Sequence, residues 1–168
     1  MATDVVVLFP GGYAPRTNGA TPTVLESTGS LANAPQVDRL ALEFPITTDK
    51  HWLFEFKNPS NYSGNPVLRG TIFSPSASPG VAVMKGGMGE GVGSISDDVF
   101  LAANNNSGTL TMPATANQLL EFTIPMTSTS IGANDSLVVF VGRDADSGSN
   151  TCTSSVYLVD CNYEYTTT

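Results

Sequence analysis

Asp144 and Asp146 stand two residues apart in VGRDADSGSNTC, a loop crowded with oxygen donors between two apolar runs. A calcium loop of the EF-hand kind needs oxygen ligands at positions 1, 3 and 5, glycine at 6 and glutamate at 12. Counted from Asp144, Asp146 falls at position 3, but Gly148, Ser149 and Ser155 take positions 5, 6 and 12. The segment reads instead as the solvated turn of a hairpin, its Asp, Ser and Asn side chains bonding to nearby backbone. The glycine-rich run MKGGMGEGVGS (84–94) invites a phosphate-binding reading. It has neither GxGxxG nor GxxxxGK spacing, and the SISDDVF that follows opens no helix. It reads as a mobile loop and contact surface, with Gly87, Met88 and Gly89 as contact residues.

Catalysis has little to work with. The chain has one histidine, His51, and two cysteines, Cys152 and Cys161, too few for the usual zinc sets or for a nucleophile with its own base. Glu43, Glu55 and Glu121 fall on the polar faces of alternating segments, and Asp97 and Asp98 are adjacent, so on a strand they point apart. If one strand carries both cysteines, their separation of nine residues sets them on opposite faces about 30 Å apart, beyond the reach of a disulfide. Free thiols fit a protein folded in a reducing cytoplasm; the alternative is a turn near Thr153 that folds Cys152 back. The expectation is a protein that is not an enzyme, with no catalytic residue, no metal and no cofactor.

Composition narrows the class further. The 168 residues suit one domain, which at this size buries roughly 70% of its unfolded surface. Only 13% of residues are charged, against about 25% in ordinary globular domains, so Ser, Thr and Asn carry the polar surface, as β-structure prefers. The formal net charge of −8 argues against a nucleic-acid backbone and against an anionic membrane as partner. MATDVVVLFPGG lacks the cationic start of a secretory signal, and no stretch is long enough to span a bilayer.

Short apolar runs bounded by Pro, Gly, Asn and Ser recur along the chain: residues 39–46, 51–57, 67–73, 81–85, 98–103, 108–112, 118–124, 136–142 and 155–165. Their alternation predicts a core of Leu40, Leu42, Phe44, Trp52, Phe54, Phe56, Phe122, Ile124, Val139, Val141, Tyr157 and Val159. Tyr163 and Tyr165 share the face of Tyr157, which leaves Tyr13 and Tyr62, in loops, as free aromatic platforms. NPSNYSGNP and ANNNSG read as turns. An all-β, antiparallel two-sheet sandwich over residues 39–168 is expected, preceded by an extended N-terminal arm, residues 1–38, of which residues 10–38 hold four prolines, four glycines and only a few scattered apolar residues. Val5, Val6, Val7, Leu8 and Phe9 form a β-branched apolar run that water would leave prone to strand pairing. They are read, with Tyr13, as contacts to a partner; the alternative is that the run is the first strand of the domain's own sheet.

Two segments carry a family resemblance: HWLFEFKNPSNYSGNPVLRGTIFS, and the stretch from LLEFTIPM through LVVFVGRDADSGSNTC to VYLVDCNYEY. Together, over roughly residues 40–165, they resemble the small jelly-roll proteins of tailed-phage virions, which include capsid cement or decoration proteins and domains of fibre proteins. The resemblance implies an eight-stranded jelly roll with no catalytic residues to carry over. It also implies a place on the capsid exterior, after folding in the host cytoplasm. There such proteins sit as dimers or trimers and bridge capsomers, so the implied partners are the major capsid protein and further copies of the chain, with no nucleic acid and no membrane. The rival is a head- or tail-fibre adhesin domain that binds a host glycan.

Overall fold

The computed structural model of the chain describes residues 2–9, 11, 12, 14, 19–25, 39–90, 106–127 and 131–168. Where apolar and polar residues alternate between turn-forming residues, the backbone extends. The strands are β1 (Thr3–Val7), β2 (Thr21–Leu25), β3 (Arg39–Phe44), β4 (Lys50–Lys57), β5 (Tyr62–Phe73), β6 (Gly80–Glu90), β7 (Asn106–Met112), β8 (Leu120–Pro125), β9 (Ser136–Arg143) and β10 (Val156–Thr167). Every expected run is a strand except residues 98–103, which lie outside the described residues. One sheet has the order β2-β3-β10-β5-β8, with β1 also on β10, and the other has the order β4-β9-β6-β7. All named pairs are antiparallel. The orders β3-β10-β5-β8 and β4-β9-β6-β7 are those of a jelly roll, so the chain is an all-β, two-sheet sandwich.

The core lies between the sheets, and alternation chooses most of its members. Leu42 and Phe44 of β3, Trp52 and Phe54 of β4, Phe122 and Ile124 of β8, and Val139 and Val141 of β9 are buried together, with Phe56 packed partly against them. Leu40 is a correction. It is 39% exposed, because β10 pairs with β3 only from Phe44 to Leu42 and Leu40 lies beyond, against Val24 of β2. Tyr157 and Val159 are corrections too. Between Leu158 and Asp160 the register on β5 slips by one residue; such a bulge reverses which side chains face inward. Val156 and Leu158 are buried before it, and Cys161, Tyr163 and Tyr165 after it.

The N-terminal segment departs most from expectation. β1 pairs with β10 along its whole length, from Thr3 opposite Thr166 to Val7 opposite Asn162. The N–H groups of Leu8 and Phe9 both donate to Cys161 O, at 2.9 and 3.1 Å, and both side chains join the core. The chain then crosses to the other sheet. Trp52 Nε1 donates to Gly11 O at 2.9 Å. Gly12 takes φ +95°, where a Cβ would collide with Leu53 O and the Trp52 indole. Ala20 N–H donates to His51 O at 2.8 Å, after which β2 pairs with β3. The described parts of residues 1–38 therefore belong to the sandwich and are not an arm outside it. The apolar run finds an open edge on β10, and seating it there buries Leu8 and Phe9.

Two stretches expected as loops are strands. NPSNYSGNP turns early, and β5 already begins at Tyr62; Gly64 (φ +136°) and Asn65 (φ +49°) fall where the pairing with β10 slips again. MKGGMGE is the second half of β6, paired with β9 from Met84 to Glu90 and with β7 as far as Gly86. Glycine suits it because a Cβ at Gly86 would strike the Leu68 side chain of the opposite sheet. Cys152 lies in the loop before β10, on no strand with Cys161; both cysteines are free and buried.

Candidate interaction surface

The contact residues read from the sequence end up in three different settings. Gly87, Met88 and Gly89 are buried within an interior strand, which corrects their reading as an accessible loop; residues 91–94 and Tyr13 lie outside the described residues. Leu8 and Phe9 are in the core, and Val6 packs partly against it. Val5 and Val7, 47% and 70% exposed, face outward on the six-stranded sheet.

Backbone direction shows what the β1 edge offers. Thr167 N–H donates to Ala2 O at 3.0 Å and Leu8 N–H to Cys161 O at 2.9 Å. In an antiparallel pair the bonded residues alternate. Asp4 and Val6 therefore turn their backbone groups to β10, while Thr3, Val5 and Val7 turn theirs away from it. One of these is already taken: Val5 N–H donates to Asp4 Oδ1 at 2.9 Å. That bond, with Tyr165 OH donating to Asp4 Oδ2 at 3.2 Å, holds the Asp4 carboxyl below its ordinary pKa. Among the described residues no other strand pairs with this edge, which combines two exposed valines with backbone groups turned away from β10.

At one end of the four-stranded sheet, charges gather that the sequence leaves far apart. Asp49 precedes β4, Asp144 and Asp146 follow β9, and Lys85 stands between them on β6. Carboxylate oxygens of the three aspartates come within 4.8 Å of one another. Lys85 Nζ donates to Asp49 Oδ2 and pairs with Asp144 at 3.1 Å, and Asp49 Oδ1 accepts Ala145 N–H at 2.7 Å. Burial alone would raise the Asp49 pKa, but the bonds from Lys85 and Ala145 outweigh it and hold it down. Burial would likewise lower the Lys85 pKa, and its two carboxylate partners raise it instead. Asp146 is pushed up by its hydrogen bond with Asp144 and by the neighbouring carboxylates. His51, on the same face, is pulled down by burial and by Lys85, and sits edge-on to Phe140 at 5.5 Å. With the ammonium already between two of the carboxylates, the cluster is an ionic clasp joining β6 to two loops. Asp49 gave no sequence signal, since nothing local ties it to Asp144.

Beneath the clasp, Arg143 is fully buried. It donates to Ser154 O (2.7 Å), Cys152 O (2.9 Å), Pro45 O (3.3 Å) and Asn150 Oδ1 (3.1 Å), and more weakly to Phe44 O. It fixes the loop that carries Asp144 and Asp146. A signal for it existed: Arg143 shares the parity of Val139 and Val141, so it points inward.

On the outer face of the larger sheet, Phe73 and Tyr157 stack at 5.5 Å with 26° between their planes. Tyr157 is half-buried, and its pKa is raised by burial and by Glu43. Tyr62, expected to be a free platform, packs at 5.9 Å against Tyr165.

No family model and no curated protein matches the sequence. Among solved structures, an arabinose-bound GH51 α-L-arabinofuranosidase matches with a TM-score of 0.54 at 14% identity, over 94% of this chain and 24% of that one. The chain thus spans about a quarter of that enzyme's length. The CBM22-1 xylan-binding domain of Paenibacillus barcinonensis Xyn10C matches with a TM-score of 0.48 at 12% identity, covering 99% and 97% of the two chains. The C-terminal CBM6 of LamC from Zobellia galactanivorans gives 0.45 at 9% identity, covering 98% and 100%. At 14% identity the match to the arabinofuranosidase is one of fold alone.

Proposed function

We propose that this chain is a non-catalytic contact module of a virion. In this reading it is a decoration protein that binds the outer surface of a phage head, bridges capsomers and associates with copies of itself. The observation that carries the reading is the β1 edge. Val7 is 70% and Val5 47% exposed beside backbone groups turned away from β10, an arrangement that a partner surface or strand completes. The two segments that resemble virion jelly-roll proteins, and an acidic chain without a second histidine, support the same reading. Many copies on a lattice would multiply a modest interface.

The test is add-back to particles stripped of the protein. Val5→Lys with Val7→Lys changes only outward-facing side chains, so the melt should hold while particle binding and self-association weaken. Unchanged binding by a folded double variant would refute the role of this edge.

A second reading, a fibre adhesin domain that binds a host glycan, draws on Tyr157, half-buried on the outer face of the larger sheet, backed by the buried ring of Phe73 and with the Glu43 carboxylate beside it. It predicts glycan-array signals that vanish in Tyr157→Ala, and a few dozen copies or fewer per virion where decoration predicts hundreds.

A further inference from the structure

Strands β7 and β8 close the same side of the sandwich from opposite sheets and do not pair. They meet at one end, where Asn106 Nδ2 donates to Thr127 Oγ1 at 3.1 Å and Gly108 leaves only van der Waals room against Thr123 O. Between them lies a cleft of about 330 Å³, with Leu110 and Phe122 at its floor and Thr109, Thr111, Glu121 and Thr123 at its rims.

Backbone direction decides what this cleft can recognise. On β6, Val81 O and Val83 O accept N–H groups from the loop after β9, at 2.8 Å from Thr151 and 2.9 Å from Asp144. The odd-numbered residues of β6 therefore turn away from β7. Gly108 and Leu110, opposite Met84 and Ala82, take the ladder bonds, and Thr109 and Thr111 turn N–H and C=O into the cleft. On β8, Met126 N–H donates to Pro66 O at 2.8 Å. By the same alternation Ile124 and Phe122 bond to β5, and Glu121 and Thr123 turn their backbone groups to the cleft. Two facing rows of peptide groups above an apolar floor are what an added strand completes.

We propose that the β7–β8 cleft takes an extended segment of another protein as an added strand, with a lysine or arginine of that segment over Glu121. Glu121 is exposed at the rim, and the nearby Arg69 is engaged by Glu164 at 2.7 Å. With Glu121 at this rim, a net charge of −8 favours a cationic occupant here. Alternate side chains of the segment would reach Leu110 and Phe122, with Leu119, 52% exposed, offering an apolar shoulder just before β8. This inference rests on the reading of the chain as a contact module and names the chemistry of one partner.

The experiment is a titration of the isotope-labelled protein with a short blocked peptide that alternates valine with threonine and lysine, and with its twin bearing glutamate for lysine. The lysine peptide should shift the amides of Thr109, Thr111, Glu121 and Thr123 at about millimolar concentration. The glutamate twin should bind about two- to fivefold more weakly, as one exposed ion pair dictates. Glu121→Lys should invert that order. Thr109→Pro removes an N–H that the ladder does not use and should abolish the shifts while the rest of the spectrum is kept. If Thr109→Pro does not fold, the Glu121→Lys inversion decides. No shifts at these amides, an order unchanged by Glu121→Lys, or shifts there with laminarihexaose and with neither peptide would each overturn the proposal. A silent cleft in a protein that still adds back to stripped particles removes the cleft and leaves the contact-module reading standing.

Discussion

Replacing Arg143 by leucine should cost about 3–5 kcal/mol, a large part of the 5–15 kcal/mol that holds a typical domain together. Two of its bonds are short and reach backbone carbonyls, Ser154 O at 2.7 Å and Cys152 O at 2.9 Å. Hydrogen bonds from a charged donor contribute roughly 1.5–3 kcal/mol each, and Pro45 O and Asn150 Oδ1 lose a partner as well. Burial of the leucine returns about 1.5 kcal/mol or somewhat more. Buried ion pairs can often be exchanged for apolar residues without loss. That exchange fails here because most of the acceptors are main-chain carbonyls that stay behind when the guanidinium leaves, Ser154 O with only the weak Cys152 Sγ donor at 3.5 Å. The assay is urea unfolding followed through Trp52, the single tryptophan, which is buried in the same core. The midpoint should fall with an unchanged slope, and the melt should drop by about 10 °C, at roughly 2–4 °C per kcal/mol for a chain of this size. Arg143→Lys keeps the charge but cannot span the same carbonyls, and should lose nearly as much. A leucine variant that loses less than about 1 kcal/mol, the worth of an ordinary neutral hydrogen bond, or a lysine variant as stable as the parent, would refute the carbonyl fan as the support of this loop.

Phe54→Ala should cost about 3–5 kcal/mol in the same assay, as truncation of a buried ring does, since Phe54 is only 2% exposed; less than about 1 kcal/mol would mean the wrong face of β4 has been placed inside. Deleting residues 1–9 should lower the melt sharply, because Leu8 and Phe9 leave the core with β1; an unchanged melt would return the segment to a partner-held arm. The pKa of Asp49 is held below its ordinary 3.8, so its contribution is full above that value and lost as the pH falls through the folded one; stability should drop below about pH 4, and less steeply in Asp49→Asn. Lys85→Met should cost about 1–3 kcal/mol at neutral pH, the loss of one partner from a partly exposed cluster. It should recover on mild acidification, as protonation relieves the three carboxylates left without their cation; a pH-independent loss would contradict the clasp.

How much of this was legible follows from which forces are local. Alternation in RLALEF and HWLFEFK reads out Leu42, Phe44, Trp52 and Phe54 directly, because a strand with one buried face writes its register into the sequence. The same logic fails on β10. One extra residue between Leu158 and Asp160 reverses the faces, and a bulge has no composition of its own in VYLVDCNYEY. Tyr157 and Tyr163, on one face of an ideal strand, end up on opposite faces. The glycine run of β6 misleads for a related reason. Glycine marks turns when its neighbours are free, but Gly86 marks the place where Leu68 of the opposite sheet needs the space, a demand visible only once the sheets are stacked.

The N-terminal segment and the charged clasp share a deeper cause. Both depend on pairs far apart in sequence, Val5 with Glu164 and Lys85 with Asp49 and Asp144. Low apolar content in PGGYAPRTNGATP argues correctly that this stretch cannot hold itself together. It does not say that nothing else holds it. Five ladder positions on β10, two buried side chains and one indole bond anchor the described residues around it. The described residues of the segment read as an arm thus contact both sheets, β10 at Val7 and β4 at His51, through Gly19. The surface it leaves for partners is smaller than an arm would give: the outward side of β1, where Val5 and Val7 remain in water.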